Sequence, residues 1–247
     1  MTRPPKTSRA LSVALLAYLV AAPAPAEAPR ADERDRMVDA VAAQVRGTRF
    51  ETGWGELAPR VAAALREVPR HAFVPAAARG DAYENRPLPI GYGQTISQPY
   101  IVAIMTELLD PEPGDVVFEL GTGSGYQAAV LSRLVREVYT IEIVEPLGKR
   151  SRATLDGLGY RNVKSKVGDG YDGWPEAGPF DAIIVTAAAD HVPPPLVAQL
   201  KPGGRMIIPV GGPFMTQYLT LVDKDAEGRV HARQILPVRF VPLTRKR

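Results

Sequence analysis

The sequence predicts an α/β protein whose doubly wound, mostly parallel sheet has an antiparallel edge and follows an N-terminal helical element. From residue 116 onward, short apolar runs alternate with helical patterns, the order expected of repeated β-α-β units. The run over 182–186 is almost wholly apolar, as a central parallel strand buried on both faces requires. Gly121, Gly123 and Gly125 follow the first of these strands, where the chain has to turn sharply into a helix.

The sequence before residue 111 predicts mainly helices. Helical apolar spacing predicts helices over 37–45, 56–68 and 99–109. Residues 79–98 are rich in Gly, Pro, Asn and Tyr and predict a long loop with little helical or strand pattern. A loop of this length in a compact domain is usually functional or disordered, and its tyrosines and aliphatic residues favour function.

The remaining elements follow in regular order. Strands are predicted over 116–120, 138–143, 163–167, 182–186 and 206–210, and helices over 126–134, 146–158 and 195–200. A turn is expected at 201–204. Two further strands, 218–222 and 230–236, flank a turn at 223–228 and predict an antiparallel pair at the edge of the sheet.

Composition excludes several kinds of site. The chain has no cysteine, which rules out thiol catalysis, disulfides and cysteine-ligated metals. Its three histidines, His71, His191 and His231, are far apart and lack metal-ligand spacing, so no metal is expected. The chain carries 30 Lys+Arg against 27 Asp+Glu, a balance that does not predict nucleic-acid binding.

The N-terminus resembles a secretory signal. Arg3, Lys6 and Arg9 precede a short apolar run over 10–22, and small residues follow it. The run is too short for an ordinary membrane span of ~20 residues. We expect a signal-like segment over 1–28 with cleavage after Ala26, a linker over 29–36 and one domain over 37–247, its helices and loop over 37–110 and its sheet over 111–247. The alternatives to a signal are an Ala-rich N-terminal extension and a misassigned start codon.

The candidate ligand residues lie at strand ends, because open α/β sheets bind ligands beyond the carboxyl ends of their strands. Glu119 precedes a G-x-G-x-G turn, whose alternate spacing leaves less of a pyrophosphate cradle than the G-x-G-x-x-G of dinucleotide enzymes. Glu142 ends the next strand, placed for a carboxylate that accepts from both ribose hydroxyls. Asp169 stands between Gly168 and Gly170 and can accept from an adenine amino group. Each alone could be a solvated residue or a plain turn, whereas together they indicate an adenosyl cofactor.

The chain resembles the protein-L-isoaspartate O-methyltransferases from about residue 37 to residue 243. The strings that carry the resemblance are LPIG at 88–91, GQTISQP at 93–99, ELGTGSGYQAAVL at 119–131, VGDG at 167–170, FDAIIVTAA at 180–188 and RFVPL at 239–243. The glycine string is common to many methyltransferases, whereas GQTISQP is far more particular to this family. Residues 1–36 fall outside the resemblance, and GTRFETGWG at 47–55 departs from it.

The resemblance implies a Rossmann-like class I fold and methyl transfer from S-adenosyl-L-methionine to the free carboxylate of L-isoaspartyl and D-aspartyl residues in damaged proteins. It implies that the donor is held by Glu119, Gly121, Thr122, Gly123, Ser124, Gly125, Glu142, Asp169 and Gly170. A class I methyltransferase acting on a small molecule is the main alternative. A non-enzymatic binding protein and a nicotinamide oxidoreductase are weaker ones.

The resemblance also places Ser97 at the active site, where its hydroxyl would donate to the substrate carboxylate. The residues alone leave another interpretation open, because Ser97 stands two positions before Pro99 and could cap the predicted helix. Thr95, Ile96 and Gln98 are expected to form the substrate wall. Thr186 and Ala187 are expected to line the site of methyl transfer.

The compartment stays open at this point. The signal-like residues favour export to the periplasm, whereas the family usually works in the cytoplasm, where the methyl donor is made. A start at Met37 would give a cytoplasmic form. The implied partners are proteins or peptides that carry isoaspartyl residues. We expect a monomer that binds no nucleic acid and has no stable membrane insertion once the signal is removed.

Overall fold

The computed structural model describes residues 30–212 and 215–245; the signal-like residues 1–28 lie outside this part. The helices are α1 (Ala31–Gly47), α2 (Arg49–Thr52), α3 (Pro59–Glu67), α4 (Pro99–Leu109), α5 (Tyr126–Leu131), α6 (Glu145–Gly157) and α7 (Pro194–Gln199). The strands are β1 (Leu88–Gly91), β2 (Gln94–Ile96), β3 (Val116–Leu120), β4 (Glu137–Glu142), β5 (Val163–Val167), β6 (Phe180–Val185), β7 (Leu200–Val210), β8 (Gln217–Lys224) and β9 (Val230–Val238).

Seven strands form one sheet in the order β5-β4-β3-β6-β7-β8-β9. The first five are mutually parallel, whereas β8 is antiparallel to both β7 and β9. The predicted fold class is confirmed. The chain runs outward from β3 to β5 and then returns to β6 on the other side of β3, so the direction of winding reverses between β3 and β6. In such sheets a crevice opens at the carboxyl ends of the strands where the winding reverses.

The core lies in two layers, one on each face of the sheet. Val117 packs with residues of α1, α3, α4 and α5, whereas the next residue, Phe118, packs with Phe180 and Leu196 on the opposite face. Successive side chains of a strand point to opposite faces. Every residue of β3 is therefore buried, which explains why its sequence lacks the alternation of a half-exposed strand.

The predicted linker over 29–36 was wrong from Ala31 onward, because α1 begins there. Asp32 and Glu33 lie in the first turn, where acidic side chains interact favourably with the helix dipole. The Arg36 side chain donates to the Asp32 carbonyl oxygen at 3.2 Å. A charged segment that suggested a solvated linker is therefore the exposed start of a helix that buries Met37.

The predicted loop over 79–98 was also partly wrong. Strands β1 and β2 form an antiparallel hairpin in which Leu88 faces Ile96. At its tip Tyr92 and Gly93 both have positive φ, 56° and 71°. The two strands have only four and three residues, too few for a period-two pattern to appear in the sequence.

Most other boundaries agree with the sequence. The bounds of α4, β3 and β5 match those predicted. Helix α3 begins at Pro59, three residues later than expected. The expected turn at 201–204 lies inside β7, where the register with β6 shifts between Phe180 and Ala182. None of the helices in the described part of the chain is long and apolar enough to span a membrane.

Candidate functional site

A glycine turn joins the end of β3 to the start of α5. Gly121, Gly123 and Gly125 have φ values of 99°, 53° and 90°, which side chains disfavour. A Cβ atom on Gly121 would collide with the Thr186 side chain, whose hydroxyl donates to the Gly121 carbonyl oxygen at 2.5 Å. The end of β6 is thus fastened to the turn, and only glycine fits at position 121.

Glu142 lies beside this turn at the end of β4. Its carboxylate accepts from the backbone N–H of Gly123 at 2.7 Å and from that of Val144 at 2.9 Å. These bonds hold the side chain rigidly, and each carboxylate oxygen keeps a lone pair for a ligand hydroxyl. Glu142, Gly121 and Gly123 line one narrow cleft, to which Gly170 contributes from the segment after β5. We call it the donor cleft.

Glu119 does not reach the donor cleft. Its side chain is fully buried, and one carboxyl oxygen accepts from the Thr140 hydroxyl at 2.6 Å. Burial raises the pKa of Glu119 to about 8, and the nearby Glu142 carboxylate adds to the rise. Glu119 is therefore protonated near neutral pH. It supports the turn through Thr140, whose oxygen is 2.6 Å from that of Thr122.

Three other residues expected to bind the donor shape the turn from inside. Thr122 and Ser124 are buried, and the Ser124 hydroxyl accepts from the Tyr126 backbone N–H at 3.2 Å. A Cβ atom on Gly125 would lie 3.2 Å from Leu155, so this glycine allows α6 to pack closely. None of the three lines the donor cleft.

Asp169 does not line the donor cleft, although the next residue, Gly170, does. Its carboxylate accepts from the Tyr171 backbone N–H at 3.0 Å, and the Arg245 Nε lies 3.9 Å from its other oxygen. The Arg245 guanidinium also stacks on the Tyr171 ring, 3.6 Å from its centroid. Gly170 itself lines the cleft, and a Cβ atom there would lie 2.8 Å from the Leu120 side chain.

A second, larger cavity of about 490 Å³ opens next to the donor cleft. It is lined by Gln44, Pro87, Thr95, Ser97, Gln98, Tyr100, Ile101, Thr186 and the segment 236–241. We call it the acceptor cavity. The end of this segment is held against the sheet, since Val241 accepts from the Ala188 backbone N–H at 2.8 Å and Leu243 donates to the Ala188 carbonyl oxygen at 2.7 Å.

Ser97 lines the acceptor cavity and does not cap α4. The N-cap residue of α4 is Gln98, whose own side chain makes no capping hydrogen bond; the Asn85 side chain accepts from the Tyr100 backbone N–H in the first turn instead. Within the described residues, the Ser97 hydroxyl makes no hydrogen bond. Its backbone carbonyl oxygen accepts from Arg70 at 2.7 Å. The hydroxyl therefore remains available to a molecule in the cavity.

The donor cleft and the acceptor cavity meet at Thr95, Thr186 and Val241, which line both. The other residues expected on the substrate side are placed differently. Ile96 is 2% exposed and belongs to the core, because its side chain faces inward from the hairpin. Ala187 lines the donor cleft and not the acceptor cavity. The two spaces therefore border each other at Thr95, Thr186 and Val241.

Sequence reasoning missed Arg70, a fully buried arginine beneath the site. Its guanidinium donates to the carbonyl oxygens of Ala82 at 2.8 Å and Ser97 at 2.7 Å, and it lies 4.8 Å from the Tyr126 ring centroid. Burial lowers its pKa to about 10, so it stays charged. Arginine is rarely buried, and only its position in the short apolar stretch after Pro69 could have drawn notice.

The described residues contain no group of three or more His, Asp or Glu side chains that could hold a metal ion. The residues do fit an adenosyl ligand. Gly121 and Gly170 line the same cleft as Glu142, and neither position has room for a Cβ atom beside Thr186 and Leu120. The arrangement can hold a charged donor in one space and present a second molecule to it from the other.

Comparison with known proteins agrees with this geometry. The family model described as protein-L-isoaspartate(D-aspartate) O-methyltransferase matches residues 52–247. A Cupriavidus necator protein named protein-L-isoaspartate O-methyltransferase 1 is 62% identical over 216 residues, 87% of this chain and 83% of that protein. A Syntrophobacter fumaroxidans protein named protein-L-isoaspartate O-methyltransferase 2 is 57% identical over 241 residues, 97% of this chain and 98% of that protein.

Two solved structures share the fold. One, named protein-L-isoaspartate O-methyltransferase, superposes with a TM-score of 0.75 at 30% identity, covering 85% of this chain and 65% of that chain. The other is a Plasmodium falciparum protein in complex with S-adenosyl-L-homocysteine, with a TM-score of 0.71 at 24% identity, covering 86% of this chain and 99% of that chain. At that identity the second likeness supports the fold alone.

Proposed function

The chain belongs to the protein-L-isoaspartate (D-aspartate) O-methyltransferase family, and from that premise we propose which of its residues carry the reaction and where it takes place. The reaction is methyl transfer from S-adenosyl-L-methionine to the free carboxylate of L-isoaspartyl and D-aspartyl residues in damaged proteins. The observation that carries the assignment of residues is the junction at Thr95 and Thr186, where the donor cleft opens into the cavity that holds the Ser97 hydroxyl.

On the donor side, S-adenosylmethionine supplies a methyl group on a positively charged sulfur. The Glu142 carboxylate would accept from the ribose hydroxyls, since backbone bonds already hold it at the cleft. Gly121 and Gly170 line the cleft and carry no side chain, so they would let the methyl donor approach the backbone closely. Asp169 would accept from the adenine amino group, and Glu119, Thr122, Ser124 and Gly125 would keep the turn in shape.

On the acceptor side, the reaction needs position more than proton transfer. A carboxylate is already ionised near pH 7, so no general base is required. The Ser97 hydroxyl would donate to one carboxylate oxygen and direct the other toward the methyl group. Thr95 and Thr186 would form the walls where the two spaces meet, and Gln98 would complete the acceptor wall. Holding the carboxylate oxygen, the methyl carbon and the sulfur in line would lower the barrier to transfer.

The test uses an isoaspartyl peptide and its aspartyl twin with a labelled methyl donor. We expect label in the isoaspartyl peptide alone, whereas equal labelling of both peptides would contradict the proposed substrate. Ser97→Ala should lower turnover by about 10- to 100-fold, the value of one hydrogen bond to a charged group, with affinity for the methyl donor kept. Ser165→Ala on β5, which lines neither cavity, is the matched control. An unchanged rate for Ser97→Ala would remove Ser97 from the mechanism.

We also propose that the protein is exported and acts as a monomer. The basic start, the short apolar run over 10–22 and the small residues before Ala26 support export. N-terminal sequencing of the protein from separated cell fractions tests this: a periplasmic chain beginning after Ala26 supports it. A cytoplasmic chain that keeps residues 1–28, or begins at Met37, contradicts it. Sedimentation of the purified protein tests the monomer.

A further inference from the structure

Three carboxamide side chains from separate segments meet at the acceptor cavity. Gln44 belongs to α1, Asn85 precedes β1, and Gln98 is the N-cap residue of α4. Asn85 Nδ2 donates to Gln44 Oε1 at 2.9 Å, and Gln98 Nε2 donates to the same oxygen at 3.1 Å. Gln44 and Gln98 both line the cavity, together with Ser97.

Backbone groups fix the orientation of all three carboxamides. The Tyr100 backbone N–H can only donate, and it lies 3.0 Å from Asn85 Oδ1, so the amide nitrogen of Asn85 faces Gln44. The Asn85 backbone carbonyl can only accept, and it lies 2.9 Å from Gln98 Nε2. Two amide nitrogens therefore approach one atom of Gln44, and that atom has to be its oxygen.

As a consequence, the Gln44 side chain offers a preoriented hydrogen-bond donor. With Oε1 of Gln44 engaged twice, the NH₂ group of the same carboxamide is turned away from Asn85 and Gln98. Within the described residues that NH₂ group makes no hydrogen bond. Gln44 lines the acceptor cavity but, unlike Thr95 and Thr186, does not line the donor cleft. It is therefore placed for a part of the substrate other than the reacting carboxylate.

We propose that the Gln44 NH₂ group binds the main-chain carbonyl oxygen of the residue that precedes the isoaspartyl residue in the substrate. This inference rests on the proposed function. In an isoaspartyl residue the free carboxylate is attached to the α carbon, and in an aspartyl residue it is one carbon farther along. The spacing from the preceding carbonyl to the free carboxylate thus differs by one carbon between the two. Hydrogen-bond donors at Gln44 and Ser97, held by one scaffold, would favour the shorter spacing of the L-isoaspartyl residue, whereas a D-aspartyl residue has the longer one.

The decisive variant is Gln44→Glu, which keeps an oxygen for Asn85 and Gln98 and replaces the NH₂ group by a second oxygen. Losing one neutral hydrogen bond, about 1.4 kcal/mol, should raise KM for an isoaspartyl peptide about 10-fold. The kcat value, donor affinity and melting temperature should stay within the range of the wild type. Gln44→Met, which has no charge, should raise KM similarly and decides the question if Gln44→Glu fails to fold. Ala43→Glu adds the same charge at the neighbouring exposed position of α1 and should leave KM unchanged.

A modified substrate identifies the group that Gln44 contacts. A thioamide in place of the preceding carbonyl weakens the acceptor, so it should raise KM for the wild type but cause no further rise for Gln44→Met. A wild type that fails to label the isoaspartyl peptide overturns the proposed function. An active wild type whose KM is matched by Gln44→Met overturns the role of Gln44. Equal thioamide effects on the two proteins overturn the assignment to that carbonyl.

Discussion

The donor cleft and the acceptor cavity share a wall but are built differently. The donor cleft is lined by residues at the ends of the neighbouring strands β3, β4 and β6 and by the segment 241–244, with two glycines that cannot carry a Cβ atom, Gly121 and Gly170, and one rigid carboxylate, Glu142. The acceptor cavity is lined by residues of α1, β2, the start of α4, the end of β9 and the residue that follows β6. The donor site therefore depends on local backbone conformation, whereas the acceptor site depends on how distant segments pack.

This difference predicts which changes damage which site. Backbone conformation responds to the presence or absence of a Cβ atom, because steric exclusion restricts φ for every residue except glycine. An assembled cavity responds instead to loss of the buried groups that join its segments, because each unpaired partner left behind carries a desolvation cost. Three variants, taken from the largest expected effect to the smallest, test this division.

Gly121→Ala should damage the donor side most. Its φ of 99° strains any residue with a side chain, and the added Cβ atom would collide with Thr186. We expect S-adenosylhomocysteine affinity, measured by calorimetry, to fall about 10- to 100-fold, since such strain costs of order 1–3 kcal/mol.

The matched control is Gly123→Ala, at φ 53° with its nearest non-neighbouring atom 3.8 Å from the added Cβ. It should cost about 1 kcal/mol, or about fivefold in affinity. Equal losses for the two variants would mean that crowding by Thr186 is unimportant.

Arg70→Met should mainly damage the acceptor side. It removes the donors to the Ala82 and Ser97 carbonyl oxygens and leaves both without that partner. We expect kcat/KM for the isoaspartyl peptide to fall about 10- to 30-fold and the free energy of unfolding to drop by ~2–4 kcal/mol. S-adenosylhomocysteine affinity should change less than about threefold, and Arg70→Lys, which restores one donor, should recover part of the loss. Because Arg70 also stacks on Tyr126, equal losses on the two sides would show that it holds both.

Glu119→Gln should have a small effect on activity and a clear effect on the pH dependence of stability. Burial raises the pKa of Glu119 to about 8, so the folded protein keeps a proton that the unfolded chain releases above its ordinary pKa of ~4.3. The free energy of unfolding should therefore fall as pH rises between these values, by at most about 1.4 kcal/mol per pH unit.

The substitution replaces the protonated carboxyl by a neutral carboxamide of the same shape and should flatten this dependence. Denaturant unfolding at pH 6, 7 and 8 measures it, and Glu51→Gln at an exposed position of α2 should leave the slope unchanged. A slope equal to that of the wild type would mean that Glu119 is ionised in the folded protein.

The strand ends and the residues that follow them were the part of the molecule best predicted from the sequence. Alternating apolar runs and helical patterns predicted the parallel sheet, and the glycine spacing with Glu142 in register predicted the donor cleft. The sequence predicts these features because they depend on short-range periodicity and on which residues tolerate positive φ. The hairpin of β1 and β2 escaped prediction because its strands are too short to show a period.

What the sequence determined by itself is the order of the elements, the parallel core and the turn that would hold an adenosyl ligand. Only the tertiary structure decided that Glu119 lies beneath the turn, that Ser97 faces a cavity while Asn85 caps α4, and that Gln44, Asn85 and Gln98 orient one another. The reason is physical: a local pattern follows from neighbouring residues, whereas burial and hydrogen-bond partners follow from contacts between residues distant in the chain, 41 and 54 positions for the two partners of Gln44.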